Sequence, residues 1–118
     1  MFKNFYQEFS KKDKQIIRDL IDKGLQREFE NGIKEIEKII DDWKVNKEDR
    51  RKTYHRLYDS ITDHRKHLAR RYDGLGGSDF VPTTGYLLSD GIIKEEELAE
   101  LSSEAKQLVI TFSNIHNI

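Results

Sequence analysis

The first 73 residues contain no proline and only two glycines, Gly24 and Gly32, so long helices can form there without interruption. Within this stretch, apolar side chains recur in steps of three or four, which is the spacing of one face of an α-helix. They are Ile17, Ile21, Leu25, Phe29, Ile33, Ile36, Ile40 and Trp43. An unbroken helix from Lys11 to Lys44 would span roughly 50 Å, and each glycine weakens it by about 1 kcal/mol. We therefore expect a bend or break near Gly24 or Gly32.

Capping residues predict where the first two helices begin. Ser10 followed by Asp13 resembles a capping box and places the start of the first helix there. Asn46 is expected to cap the second helix, with Glu48 and Asp49 in its first turn, where acidic side chains favour the positive end of the helix dipole. The second helix should extend to about residue 73.

The second predicted helix carries its own apolar face, interrupted by two polar residues. Its apolar members are Tyr54, Leu57, Tyr58, Ile61, Leu68 and Tyr72. His64 and Arg65 lie between Ile61 and Leu68, where helical spacing requires residues of the same face. We expect this pair to be neutralised by acids from another helix, or the arginine to reach outward to solvent, or the two to form the polar floor of a pocket.

The C-terminal third is predicted to form shorter helices. Five of the seven glycines fall between positions 74 and 91, and residues 74–78 indicate a flexible connector. Ser78 is expected to cap a short helix, residues 95–101 to form another, and Ser102 or Ser103 to cap the last. Strand-like alternation is absent. The sequence thus predicts an all-α fold: one domain over residues 1–118, built as a compact bundle of five to six helices, two of them long.

Composition excludes several classes of protein. Leu, Ile, Val and Phe total 32 of 118 residues, which is enough to bury a core, although 36% of the residues are charged. The chain contains no cysteine, so disulfides, thiolate nucleophiles and cysteine-based zinc sites are excluded. No signal-peptide pattern and no apolar run near 20 residues occur. We expect a soluble cytoplasmic protein with no cofactor and no membrane association.

Charge is segregated along the chain. Residues 47–71 hold nine basic and four acidic side chains, and residues 72–118 hold two basic and eight acidic ones. The two segments are expected to face each other, within one chain or across a homodimer. The alternative is that the basic helix binds phosphate, as nucleic acid or nucleotide, with Tyr54, Tyr58 and Tyr72 stacking on bases.

Two groups of residues could carry a site. The candidate ligand or anion site combines polar residues of the second helix with the start of the next: His64, Arg65, Arg70, Arg71, Gly76, Gly77 and Ser78. A ladder at intervals of four, which predicts salt bridges along one helix, consists of Arg51, His55, Asp59, Asp63, His67 and Arg71. Its weak candidates for metal ligands are His55, Asp59, Asp63 and His67, without the Glu-x-x-His motif of two-metal bundles. No metal is expected.

Arg50 and His55 have an Arg-x4-His spacing that resembles some small helical ribonucleases, the HEPN group. The resemblance implies His55 as a base and Arg50 as the group that stabilises a phosphorane. Two residues do not place the chain in a family.

The sequence favours a non-catalytic protein-interaction or regulatory module that associates with a protein partner or with itself. The alternative is a binder of nucleic acid or of a phosphorylated small ligand through residues 47–72 and 74–78. A histidine-centred phosphodiesterase is the remaining, remote hypothesis.

Overall fold

The computed structural model describes residues 3–46 and 49–116. It contains α1 (Lys11–Asn46), α2 (Arg50–Tyr72), α3 (Gly77–Ser89) and α4 (Ser103–His116), with 3₁₀ turns at Tyr6–Glu8 and Glu95–Leu98. No strand occurs in these described ranges, so the all-α class is confirmed. The described residues form four α-helices, so the expected count of five to six helices is reached only if 3₁₀ turns are counted as helices.

α1 is one helix of 36 residues, so the break expected near Gly24 or Gly32 does not occur, while the bend stays a prediction. A glycine weakens a helix by about 1 kcal/mol but does not end it, because its amide still donates to the carbonyl four residues back. At Gly32 the missing side chain has a structural use. A β-carbon there would lie 2.6 Å from Cε1 of His64, so the glycine leaves space for that ring.

Two of the predicted helix starts are confirmed. The Asp13 amide donates to Ser10 Oγ at 3.1 Å, which begins α1 as expected. The carboxylate of Asp13 is directed to Ser102, accepting its backbone N–H at 2.9 Å and its hydroxyl at 2.6 Å. Ser102 Oγ in turn accepts the Ala105 amide at 3.3 Å, which confirms Ser102 as the cap of α4. The buried Asp13 thus links the start of α1 to the start of α4.

The predicted cap of α2 was wrong. Asn46 is the last residue of α1, and Asp49 caps α2 by accepting the amides of Arg51 and Lys52 at 2.8 and 3.2 Å. Because Asn46 is still part of α1, the cap falls to Asp49, whose short side chain reaches the free amides of the first turn of α2. Glu48 lies outside the described residues.

Two further predictions in the C-terminal third need correction. Gly76 rather than Ser78 caps α3, because its N–H donates to the Asp79 carboxylate at 2.9 Å. The helix expected over residues 95–101 is reduced to the 3₁₀ turn at Glu95–Leu98. α3 ends in a Schellman motif, in which Gly91 has a φ of 74° and Ile92 donates to the Leu87 carbonyl.

The chain divides into two compact units. The α3–α4 unit comprises residues 3–25 and 74–116, and the hairpin unit comprises residues 26–46 and 49–73. The prediction of a single domain stays a prediction. None of the described helices is both long enough and apolar enough to cross a membrane.

The α3–α4 unit has a well-packed core. Its fully enclosed side chains include Ile17, Val81, Leu87, Leu98 and Val109. α3 and α4 approach closely at Gly85, where a β-carbon would lie 2.6 Å from Phe112 Cβ, 2.9 Å from the Ser113 nitrogen and 3.0 Å from the Val109 oxygen. Two acids of the acidic C-terminal third pair with α1 inside this unit, Glu97 with Lys23 at 3.5 Å and Glu100 with Lys12 at 3.6 Å.

The hairpin unit pairs the second half of α1 with α2 in antiparallel directions. Glu28 contacts His67 and Tyr72 near one end, Gly32 lies against His64, and residues near 40–43 share a groove with residues near 50–57. Its buried apolar side chains are Ile39 and Leu68 alone among the described residues. The predicted apolar faces therefore form the hairpin, but much of their surface remains open.

Candidate functional site

The large hydrophobic side chains that the structure leaves exposed are concentrated in the hairpin unit. Seven such side chains occur in the described part of the chain, and six of them belong to this unit. They are Phe29, Ile33, Val45, Tyr54, Tyr58 and Ile61. Ile33 is 69% exposed and Tyr54 is 72% exposed, values that are unusual for residues on an apolar helical face.

Two apolar grooves run between α1 and α2. The first, of about 340 Å³, is lined by Phe29, Gly32, Ile33, Ile36, Ser60, Ile61, His64, Arg65 and Leu68. The second, of about 300 Å³, is lined by Ile40, Trp43, Arg50, Thr53, Tyr54 and Leu57. Both grooves are flanked by exposed apolar side chains, and neither contains an acidic residue.

Five of the six exposed apolar residues of the hairpin unit, all except Val45, lie on one side of the hairpin. On α1, Phe29 and Ile33 are four residues apart, and on α2, Tyr54, Tyr58 and Ile61 follow steps of four and three. Such steps keep side chains on one face of a helix. Since Phe29, Ile33 and Ile61 line the same groove, the faces of the two helices adjoin. We call these five residues the hairpin face.

A buried carboxylate holds one end of the hairpin. Glu28 is 4% exposed and accepts hydrogen bonds from His67 Nε2 at 2.6 Å, from Arg71 Nη1 at 3.1 Å and from the Tyr72 hydroxyl. Burial by itself raises the pKa of Glu28, but the hydrogen bonds from Tyr72 and His67 and the charge of Arg71 outweigh it and lower the pKa below its ordinary value. Burial and the neighbouring Glu28 carboxylate raise the pKa of Tyr72.

The Glu28 carboxylate is bound by three side chains of α2. The carboxylate receives three donors, and no buried polar side-chain atom in the described ranges lacks a partner. A cluster of this kind fixes the position of α2 against α1. We therefore assign Glu28 a structural role in supporting the hairpin face.

His64 and Arg65, the two polar residues predicted within the apolar face of α2, both line the first groove. His64 is half-buried with its ring against Gly32, and Arg65 is exposed. The nearby acid on α1, Glu28, bonds to His67 and Arg71. The structure thus places both side chains beside the apolar residues that line this groove.

The other members of the candidate anion site are in different surroundings. Arg70 is exposed, and Arg71 is held by Glu28. Gly76, Gly77 and Ser78 belong to the α3–α4 unit, where the Asp79 carboxylate already accepts the Gly76 N–H. The start of α3 therefore carries a negative side chain of its own at the position proposed for a bound anion.

Only the last two members of the predicted charge ladder have a described contact with α1. His67 and Arg71 both contact Glu28, whereas His55, Asp59 and Asp63 are exposed. Across residues 3–46 and 49–116, no group of three or more His, Asp or Glu side chains is arranged to hold a metal ion.

Arg50 and His55 point to different sides of α2. Five residues correspond to about 140° around a helix, and Arg50 lines the second groove while His55 is exposed with its ring edge toward Tyr54. One copy of the chain does not bring the two side chains to a common point.

Sequence reasoning missed Glu28, the most connected polar residue of the hairpin. A signal for it existed in the spacing, because Glu28 lies four residues after Gly24 and four before Gly32, on the side of α1 that faces α2. The regular series of apolar residues included Phe29, the next residue in the chain, which the structure leaves 48% exposed.

Comparisons with protein-family models, with curated proteins and with solved structures find no match to this chain.

Proposed function

We propose that the chain is a non-catalytic protein-interaction module that binds apolar helices through the hairpin face, with self-association as one form of that binding. The observation that carries the proposal is the exposure of Phe29, Ile33, Tyr54, Tyr58 and Ile61 on one side of two adjoining helices. Contiguous apolar surface of this kind is typical of interaction sites.

The composition of the hairpin face supports the binding of protein. Tyrosine and phenylalanine are enriched in interfaces because they provide a large contact area with few rotatable bonds. The face combines three aromatic residues with two isoleucines. The groove between the helices has a volume of about 340 Å³ and can receive a partner side chain. Helix-in-groove binding uses this arrangement.

A second candidate function is the binding of nucleic acid or a phosphorylated small ligand. It draws support from the exposure of Tyr54 and Tyr58 on a helix rich in arginine, since exposed aromatic rings can stack on bases. The two candidates differ in their response to salt. Binding to phosphates weakens steeply as salt is added, whereas apolar contacts between helices persist.

Site-specific photo-crosslinking of the full chain tests the proposal in the cells that express it. A photoreactive residue at Ile33 should give a discrete protein adduct, and one at the exposed Lys38, about 140° away on the same helix, should not. The adduct should disappear with Tyr58→Glu and persist with the matched control Arg70→Glu. Equal crosslinking at Ile33 and Lys38 would contradict the proposal, as would transfer of the Ile33 adduct to nucleic acid.

A further inference from the structure

We infer that the partner of the hairpin face is a second copy of the chain, related by a two-fold axis that runs parallel to the helices. This inference rests on the proposed function and names its partner. In the arrangement, α1 of each copy packs over α2 of the other, and the two hairpins form a four-helix bundle. Ile33 and Ile61 of both copies then lie in one shared apolar layer.

Charge determines which helices oppose each other. Residues 26–46 of α1 carry four basic and six acidic side chains, a net charge of −2. Residues 50–72 of α2 carry eight basic and two acidic side chains, a net charge of +6. A two-fold axis perpendicular to the helices would place α2 against α2 and bring two strongly basic helices together. An axis parallel to the helices places acidic α1 over basic α2 twice, so it is the favoured arrangement.

One pair of charged residues lies at the same height on the hairpin. Gly32 faces His64, and Glu28 faces His67, so Glu30 is level with Arg65 on the antiparallel helix. Glu30 is exposed at the edge of the hairpin face and shares an ion pair of 3.4 Å with Lys34, while Arg65 is exposed beside Ile61. The parallel axis brings Glu30 of each copy next to Arg65 of the other, where the arginine can share the carboxylate with Lys34.

The available area fits a dimer of this type. The five side chains of the hairpin face expose between 48% and 72% of their surfaces. This corresponds to on the order of 500 Å² per copy, more than half of the roughly 800 Å² that each partner buries in a standard interface. The walls of the two grooves contribute the remainder.

Charge reversal tests the arrangement by sedimentation velocity on the full chain. Glu30→Arg and Arg65→Glu, each alone, should weaken the dimer about tenfold or more, and the double variant should return to within about threefold of the original dissociation constant. An equimolar mixture of the two single variants should also form a dimer, because each copy then presents the charge that the other lacks. The matched controls are Glu35→Arg and Arg70→Glu, which reverse exposed charges away from the hairpin face and should leave the dimer unchanged.

The outcomes separate this inference from the proposed function. If Ile33→Glu dissociates the dimer but Glu30→Arg and Arg65→Glu do not, the axis is overturned and the interaction module stands. At about 1 mM protein, even a dimer with a millimolar Kd is populated. If the chain is still monomeric at that concentration, the inference that a second copy is the partner is overturned. In that case a crosslink from Ile33 to a protein of another mass still supports the module. Rescue in the double variant without rescue in the mixture indicates a pair within one copy and overturns the inference.

Discussion

The two units of this chain bury their hydrophobic residues very differently. Of the thirteen buried hydrophobic residues in the described ranges, eleven lie in the α3–α4 unit, and only Ile39 and Leu68 lie in the hairpin unit. The exposed large hydrophobic side chains show the opposite distribution, six in the hairpin unit and only Ile115 in the other. The two helices of the hairpin contact each other along one line, so a further layer of structure is needed to cover a wide apolar face. The hairpin unit has no such layer among its own helices, which explains the difference.

The hairpin unit compensates with polar contacts for the apolar core that it lacks. Its best-enclosed interaction is the Glu28 carboxylate with His67, Arg71 and Tyr72, whereas the α3–α4 unit closes around Leu87 and Val109. A carboxylate with several donors fixes orientation, but apolar burial provides most of the folding free energy. The hairpin is therefore positioned by Glu28 and is expected to gain stability when its face is covered.

The largest expected effect comes from truncating an aliphatic side chain in the α3–α4 unit. Leu87 is 0% exposed, so Leu87→Ala should lower the free energy of unfolding by about 3 kcal/mol through lost burial and the cavity that remains. Ile33→Ala on the hairpin face is the matched truncation. It should change the stability of the monomer by less than about 0.5 kcal/mol. Urea denaturation at low protein concentration measures both, and similar losses in the two variants would show that the units do not differ as described.

Removal of the Glu28 charge should give the next largest effect. Glu28→Gln replaces a carboxylate that receives three donors, at a cost of about 2 kcal/mol near neutral pH. Because folding lowers the pKa of Glu28 from its ordinary value of 4.5, its stabilisation is present above that pH and is lost as the pH falls through the lower native value. The difference in the free energy of unfolding between the original protein and Glu28→Gln should therefore become smaller below about pH 4.5.

Urea denaturation between pH 7 and pH 3 checks this expectation for Glu28. The exposed Glu35→Gln, away from the hairpin face, is the control and should shift stability by less than about 0.5 kcal/mol. If the difference in the free energy of unfolding between the original protein and Glu28→Gln stays constant across this range, the prediction that protonation of Glu28 destabilises the fold is wrong.

A β-carbon at Gly85 probes the close approach of α3 and α4. The added methyl group would lie 2.6 Å from Phe112 Cβ and close to backbone atoms of Ser113 and Val109, which cannot rotate away. Gly85→Ala should therefore destabilise the chain by about 2 kcal/mol, even though alanine is the better helix former. Thermal unfolding gives the value, with Gly76→Ala as a less crowded comparison. An unchanged midpoint would show that α3 and α4 can move apart at this position.

Part of this structure could be read from the sequence, because helical periodicity and capping act locally. The spacing of apolar residues predicts α1 and α2, and Ser10 and Ser102 mark two helix starts. Long-range contacts leave a weaker trace. The space at Gly32 for the His64 ring depends on a residue 32 positions away, so Gly32 was interpreted as a possible break.

The candidate site was predictable only in part. His64 and Arg65 were recognised as polar residues within an apolar face, and both line the first groove. The same reasoning placed Tyr54 and Tyr58 on the apolar face of the second helix, and the structure leaves that part of the face exposed. Periodicity identifies which residues share a face, but whether another element covers that face depends on tertiary structure.

The smallest expected effect concerns Gly32 and sharpens the contrast between the units. A β-carbon at Gly32 would lie 2.6 Å from Cε1 and 2.7 Å from Nδ1 of His64, so it meets the end of a side chain that can move, unlike the backbone that faces Gly85. The gain in helix propensity, about 1 kcal/mol, should nearly cancel the cost of displacing the ring. In a His64→Ala background the clash disappears, so Gly32→Ala should stabilise by about 0.5–1 kcal/mol. A double-mutant cycle in urea measures this coupling, and equal effects of Gly32→Ala in the two backgrounds would mean that the His64 ring does not depend on the space at Gly32.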